Sequence, residues 1–321
     1  MKKYLAVIGV LVLVFPFCHG LAYAHGVVGK RFIPSTITLD DPFPSDEMDL
    51  LKVERESKDK EGRKTRVGFE FSKRLSPDFA IGVGWGYLFF DPREAGKSNT
   101  SGAGNPDFSL KYSLLRSAGR EGILSAGFSA EPGGVGPRRV AERVTTLTPG
   151  LFFGKGLGDL PDSLNYLKPL AITGSLGVHV PMQGKTVTNT ITADGDIERK
   201  VEHHPTTIAY GIAVMYSIPY LQSFVRDVGL DAPLNRLFPL VEFNFQTNAG
   251  SPKQGHTTAF FNPGILWAGS YVQLGLQAQV PLNSPSGKNV GVKALVHLFI
   301  DDIWPNIFTW TPWGVIGATQ R

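Results

Sequence analysis

The sequence is short of cysteine, of charge and of long apolar runs, and each shortage removes a class of protein. Its only cysteine among 321 residues is Cys18. That residue lies in an N-terminal stretch where Lys2 and Lys3 precede an apolar run from Tyr4 to Phe17. Ala22-Tyr23-Ala24 then offers small residues for cleavage before His25. Basic, apolar and small-residue regions in this order predict a secretory signal peptide over 1–24. A chain cut there keeps no thiol, and so no disulfide, thiolate nucleophile or thiolate metal site. Charged residues make up only 19% of the chain, below the usual quarter. The formal net charge of +4 shrinks further once Lys2 and Lys3 leave, which excludes a nucleic-acid partner read from charge.

Beyond residue 24 no run approaches the ~18 apolar residues of a spanning helix. Glycine and proline are plentiful instead, at 37 and 23 residues, which suits strands and turns. Alternation with period two recurs along the chain. Phe79, Ile81, Val83, Trp85, Tyr87 and Phe89 share one face, while Ala80, Gly82, Gly84 and Gly86 share the other. Val67, Phe69 and Phe71 alternate with Arg66, Gly68, Glu70 and Ser72; Phe108, Leu110 and Tyr112 alternate with Asp107, Ser109 and Lys111. Similar two-faced runs cover 206–220, 237–249 and 271–283.

A soluble sandwich would show the same alternation with the apolar face inward. Three features favour a membrane barrel, in which that face meets lipid. The predicted strands run to about 10–14 residues, near the 9–11 of a tilted transmembrane strand. Tyr and Trp gather toward strand ends (Tyr87, Tyr216, Tyr220, Trp267, Tyr271, Trp304), as interfacial girdles require. Connections also alternate between turn-like pieces (Ser76–Asp78, Ser117–Arg120, Gly269–Ser270) and long ones (Pro92–Gly104, Pro132–Arg143, Met182–Pro205). Short periplasmic turns and long outer loops produce that pattern.

Strands placed at about 46–57, 64–75, 79–91, 105–116, 121–131, 144–156, 168–182, 206–220, 237–249, 257–268, 271–283 and 289–301 predict an all-β, antiparallel, up-and-down transmembrane barrel of about 12 strands. The first of them carries the weakest alternation. Leu157–Leu167 and Leu221–Arg236 are long on the short side, the latter with Leu221, Phe224, Val225 and Val228 at helical spacing. The predicted organisation is a signal peptide over 1–24, a proline-bearing segment over 25–45 able to enter the lumen as a plug, the barrel over 46–301, and an aromatic tail over 302–321 on the periplasmic side.

Two strings resemble a known family: His25-Gly-Val-Val-Gly-Lys-Arg-Phe-Ile-Pro-Ser-Thr with Asp40-Asp-Pro-Phe nearby, and Val296-His-Leu-Phe-Ile-Asp-Asp-Ile-Trp-Pro305. They are similar to bacterial outer-membrane barrels of the phenol-degradation MetA-pathway family, also grouped simply as transporters. The resemblance implies a barrel in the outer membrane of a Gram-negative bacterium, passing small hydrophobic or aromatic molecules. It brings no catalytic residues and no cofactor. Many such barrels end on an aromatic of the last strand, whereas here Asp301 to Arg321 follow it.

Strand parity nominates the lumen side chains: Glu70, Asp107, Lys111, His179, Glu242, Asn244, Gln246, Gln273, Gln277, Gln279, Lys293 and His297. They would either wet a narrow pore or pair into a packed polar core, since about twelve strands fall between filled and open barrels. The alternative to a channel is a closed structural or surface-recognition barrel. Glu202, His203 and His204 with Asp194, Asp196 and His256 hold imidazoles in loops, but adjacent histidines on extended chain point apart, and no metal is predicted. An enzyme is not predicted either, because no Gly-x-Ser-x-Gly elbow occurs and no phosphate-loop spacing does. The expected partners are outer-membrane lipid and a small solute.

Overall fold

The computed structural model describes residues 26–56, 58, 62–92, 98–191, 197–250 and 254–313. The predicted signal peptide over 1–24, which holds Cys18, and His25 after it lie outside them. Twelve antiparallel strands form one closed barrel. They are β1 (Glu47–Arg55), β2 (Gly62–Ser76), β3 (Phe79–Pro92), β4 (Asp107–Ser117), β5 (Gly122–Glu131), β6 (Thr146–Gly156), β7 (Leu170–Pro181), β8 (Thr207–Tyr216), β9 (Leu237–Asn248), β10 (Thr257–Ala268), β11 (Val272–Pro281) and β12 (Gly291–Phe299). Each pairs with its successor, and β12 returns to β1 with Val292 opposite Arg55 and Phe299 opposite Glu47. Closure leaves no sheet edge, the condition for strands to cross hydrocarbon.

The wall is two-faced as alternation demands. On β3, Ile81, Val83, Trp85, Tyr87 and Phe89 are exposed, and Trp85 reaches 57%. Phe108 and Leu110 on β4, Leu151 and Phe153 on β6, and Leu274 and Leu276 on β11 continue that belt. In water so continuous an apolar surface would drive association; against acyl chains it is the stable outside of the barrel. Among the described residues no helix is long and apolar enough to cross a membrane.

Five local departures from the predicted boundaries occur. The strand expected over 206–220 stops at Tyr216, because the Ser217 hydroxyl accepts the Tyr220 amide at 3.2 Å and caps a helical turn over Ile218–Tyr220. A second turn, Leu221–Val225, ends where Arg226 becomes extended, so the helical spacing does not reach Val228. The predicted loop Met182–Pro205 contains a hairpin of Lys185–Ile191 with Ile197–His203. The predicted loop Pro92–Gly104 contains Thr100–Ala103, which pairs with the far end of β3. The strand expected over 289–301 gives way after Phe299 to a helical turn, Ile300–Ile303.

The weak alternation of β1 is a bulge. Register shifts between Asp49 and Lys52 against β2, and between Val296 and His297 against β12. Leu50 and Leu51 are consecutive and both exposed, so parity reverses there. Glu47, Asp49, Lys52 and Glu54 are thereby brought to the inner wall, and none of the four could be assigned by counting along the strand.

The described part of the tail lies on the outer wall at the end that carries the short turns. Trp313 stacks on Phe79, with centroids 5.4 Å apart, and Phe308 meets Phe71 edge-on. Lys73 donates to the carbonyls of Phe308 and Trp310, both at 2.9 Å. An aromatic strap with a lysine anchor suits the membrane–water interface. Inside the preceding turn, burial together with Asp302 and Asp46 pushes the Asp301 carboxyl up to about 7, and burial takes Asp302 to about 6.

Candidate functional site

The barrel lumen is occupied from one end by residues 26–46. This segment opens with a two-residue ladder, Val27–Val28 against Arg31–Phe32, at the short-turn end. It then runs up the lumen and turns at Thr36–Leu39, where the Thr36 hydroxyl donates to the Leu39 carbonyl at 2.6 Å. It descends through Asp41–Ser45 into β1. Val28, Ile33, Ile37 and Phe43 pack into one buried cluster with Ile123, Met215, Phe238, Leu240, Leu266 and Leu295 of the inner wall. Two lumen-facing glycines allow the approach: a Cβ on Gly275 would stand 2.9 Å from Ile37, and one on Gly211 would stand 2.6 Å from Leu39.

Polar contacts hold the tip. Three successive amides, those of Ile37, Thr38 and Leu39, donate to the Glu242 carboxylate at 2.9 to 3.3 Å. Consecutive backbone N–H groups of this kind form a nest for an anion, and the buried carboxylate would otherwise lack a partner of opposite polarity. Beside it, the Thr38 hydroxyl donates to Gln277 Oε1 at 2.8 Å, and Gln273 Nε2 donates to the Ser35 carbonyl at 2.7 Å. On the other flank Lys111 Nζ donates to the Asp41 carbonyl at 2.7 Å, and Ser125 Oγ to the Pro42 carbonyl at 2.5 Å.

Arg31 closes the mouth. Its side chain is fully buried and its Nε lies 3.1 Å from Glu121 Oε2. Its other nitrogens donate to the carbonyls of Pro169 and Lys168, and its guanidinium lies 3.6 Å over the Tyr220 ring. One side chain thus ties the segment to three separate connections of that end. Burial draws the guanidinium below its ordinary value, while Glu121 acts in the opposite sense. Glu121 also accepts the Gly158 amide at 3.0 Å, and it sits at φ 47, in the left-handed region.

Above the tip the lumen opens into a cavity of about 700 Å³. Of the twelve residues nominated by parity, Glu70, Asp107, Lys111, His179, Asn244, Gln246 and Gln279 line it. The other five do not line it. Glu242, Gln273 and Gln277 hold the segment; Lys293 pairs with Glu54 at 3.2 Å, and His297 Nδ1 lies 2.7 Å from Asp49. A second cavity of about 450 Å³ shares Lys64, Glu70 and Asp107 with the first, and adds Asp49, Lys52, Glu54 and Arg66.

The inner wall is chemically lopsided. Around the two cavities charged groups come from β1, β2, β4 and β5, whereas β6 to β10 present Thr148, Phe152, Ser175, His179, Asn244 and Phe260 to the upper one. His179 shares a hydrogen bond of 3.0 Å with Thr148 Oγ1, and His204 one of 2.9 Å with Thr186. Asp194 and Asp196 lie outside the described residues. No group of three or more candidate metal ligands occurs among the described residues.

Closed strands, a lipid-facing belt and an inward polar face together define an outer-membrane β-barrel. No family model matches the chain, and no curated protein does. Among solved structures, an outer membrane channel from Pseudomonas putida F1 has the same fold at 9% identity and a TM-score of 0.54, covering 83% of this chain and 99% of that one. The NanC porin aligns at 8% identity and a TM-score of 0.44, over 78% of this chain and 98% of its own. Outer membrane phospholipase A from Escherichia coli aligns at 11% identity and a TM-score of 0.38, over 83% and 93%.

Proposed function

We propose that this barrel is an outer-membrane channel for small organic molecules with an aromatic or apolar frame, gated by residues 26–46. The observation that carries the reading is the division of the lumen: an open cavity above, with polar and aromatic groups in its wall, and a seal below made by one short segment that enters, turns and returns rather than by a folded domain. The seal is docked by Arg31, the Glu242 nest, flanking side-chain hydrogen bonds and the apolar cluster around Ile37, but it adds no strand to the barrel sheet, so its withdrawal leaves the pairing of the wall intact. The barrel lies between the sizes that side chains fill and those that leave a water channel, so a removable segment decides whether it conducts. Kinship with the phenol-degradation MetA-pathway barrels forms part of the same proposal. The reading includes no catalytic step. The histidine contacts at 179, 204 and 297 are to threonines and a carboxylate, not to a serine hydroxyl.

The lumen occupancy also favours a second reading, a permanently closed structural barrel. Single-channel recording in planar bilayers separates the two. Arg31→Ala leaves the Glu121 carboxylate without its cation and costs docking about 3–5 kcal/mol, so it raises the open fraction sharply over that of the unaltered protein. If neither protein conducts while both show the heat-modifiable gel mobility of a folded barrel, the channel reading fails.

A further inference from the structure

We infer that the upper cavity selects solutes that carry a positive charge, binding a small organic ammonium ion with its apolar part against the uncharged wall. This rests on the channel reading, since it names the solute class of the same lumen. Among the described residues the cavity is lined by the carboxylates of Asp40, Glu47, Glu56, Glu70 and Asp107, against the ammonium groups of Lys64 and Lys111. Lys111 is already engaged, 2.7 Å from the Asp41 carbonyl and 3.8 Å from its carboxylate. The adjoining cavity adds Asp49, Glu54, Glu131 and Glu142, balanced there by Lys52, Arg66 and Arg139 and by Lys293, which pairs with Glu54, so the surplus of carboxylates belongs to the upper cavity itself. A surplus of carboxylates inside low-dielectric walls concentrates cations and repels anions, the arrangement by which acidic rings make pores cation-selective.

Two further features point to a ligand rather than to bare ion screening. Gln279 lines the cavity, is 6% exposed, and its Oε1 has no hydrogen-bond partner among the described residues. A buried amide oxygen in that state carries a desolvation cost that an N–H donor relieves. The opposite wall supplies Phe152 and Phe260, and the Lys111 ammonium already stands 5.2 Å from the Phe152 ring centroid. A cation is therefore accommodated at the face of that ring, where the aromatic quadrupole favours it. An ammonium donor on an aromatic or aliphatic frame meets all three: carboxylates, amide oxygen and ring.

The test uses the full chain in lipid nanodiscs at about pH 8, titrated with benzylammonium and, separately, with benzoate, two phenyl-bearing ions of similar size and opposite charge. Benzylammonium is expected to bind and benzoate not. Glu70→Gln and Asp107→Asn should each weaken benzylammonium by about fivefold, the scale of one partly screened ion pair, while Glu202→Gln in the outer hairpin leaves it unchanged. Benzoate binding as tightly as benzylammonium, or no binding of either, overturns the inference from the unaltered protein alone, even if both lumen variants fail to fold. A reversal potential in a salt gradient keeps the two proposals apart. Conductance with anion preference sinks only this one, whereas absent conductance sinks the channel and leaves the binding result standing.

Discussion

The lower and upper halves of this lumen share the same twelve strands and the same inward parity, yet they are built for different contents. Below, the inner face carries Ile123, Met215, Phe238, Leu240 and Leu266, and meets Val28, Ile33, Ile37 and Phe43 of the chain's own segment. Above, the inner face carries Ser129, Thr148, Ser175, Asn244 and Gln246, and borders a cavity. The change falls within single strands: on β9, Phe238 and Leu240 give way to Glu242, Asn244 and Gln246. Inward residues thus record what occupies the space beside them, protein or water. A barrel strand that turns apolar on both faces toward one end marks where a plug sits.

Substitution at matched inward positions is the most forceful way to break this comparison. Phe238, 1% exposed and edge-on to Phe32 at 5.6 Å, should cost about 3–5 kcal/mol when truncated to alanine. Gln246→Ala, one pleat repeat beyond Asn244, should stay within about 0.5 kcal/mol. Urea titrations of the protein in lipid would show the gap, and equal losses would dissolve the distinction between the halves. A smaller effect is expected at the border. Glu242→Gln removes the charge that gathers three amides, worth about 1.5–3 kcal/mol. Hydrogen exchange at Ile37, Thr38 and Leu39 should quicken by about 10- to 100-fold, while amides in β9 itself hold their rates.

The mildest effect belongs outside the lumen. Asp301 and Asp302 titrate near 7 and 6 in the docked tail, above the ordinary carboxylate range near about 4. The docked tail therefore holds protons that a released tail would give up. Its attachment is complete below about pH 4 and weakens as pH rises through about 6 to 7. Protease access to 300–313 should increase over that window, and Asp301→Asn should flatten the increase. The plug, tied by Arg31 and Glu121 at the mouth, should show no parallel change; if it opens in step with the tail, the two ends of the seal are mechanically linked.

The wall was the legible part of the sequence, because parity is a local property that needs only neighbouring residues. Ile81 through Phe89 announce β3 without reference to any other strand, and Ser76–Asp78 announces its turn. What escaped depends on partners far away. The β1 bulge at Leu50–Leu51 is set by pairing with β12 and β2, so Glu47, Asp49, Lys52 and Glu54 could not be placed on the inner face by counting. Parity put Glu242, Gln273 and Gln277 on that face but could not say that segment contacts, not water, would meet them. The signal was present all the same: Phe238, Leu240 and Met215 are inward by the same parity and too apolar for a wet wall. Arg31 carried no periodic cue at all, since its partners Glu121, Lys168 with Pro169, and Tyr220 converge from three separate connections.

The nest around Glu242 has a consequence for assembly. Its amides precede their carboxylate by more than 200 residues, with 205 between Ile37 and Glu242 and 238 between Ser35 and Gln273. Contacts so distant along the chain form only after the intervening loop is closed, here the whole cylinder from β1 to β11. Newly inserted barrels must therefore pass through an unsealed stage, and the residues translated before any strand are the last to find their place.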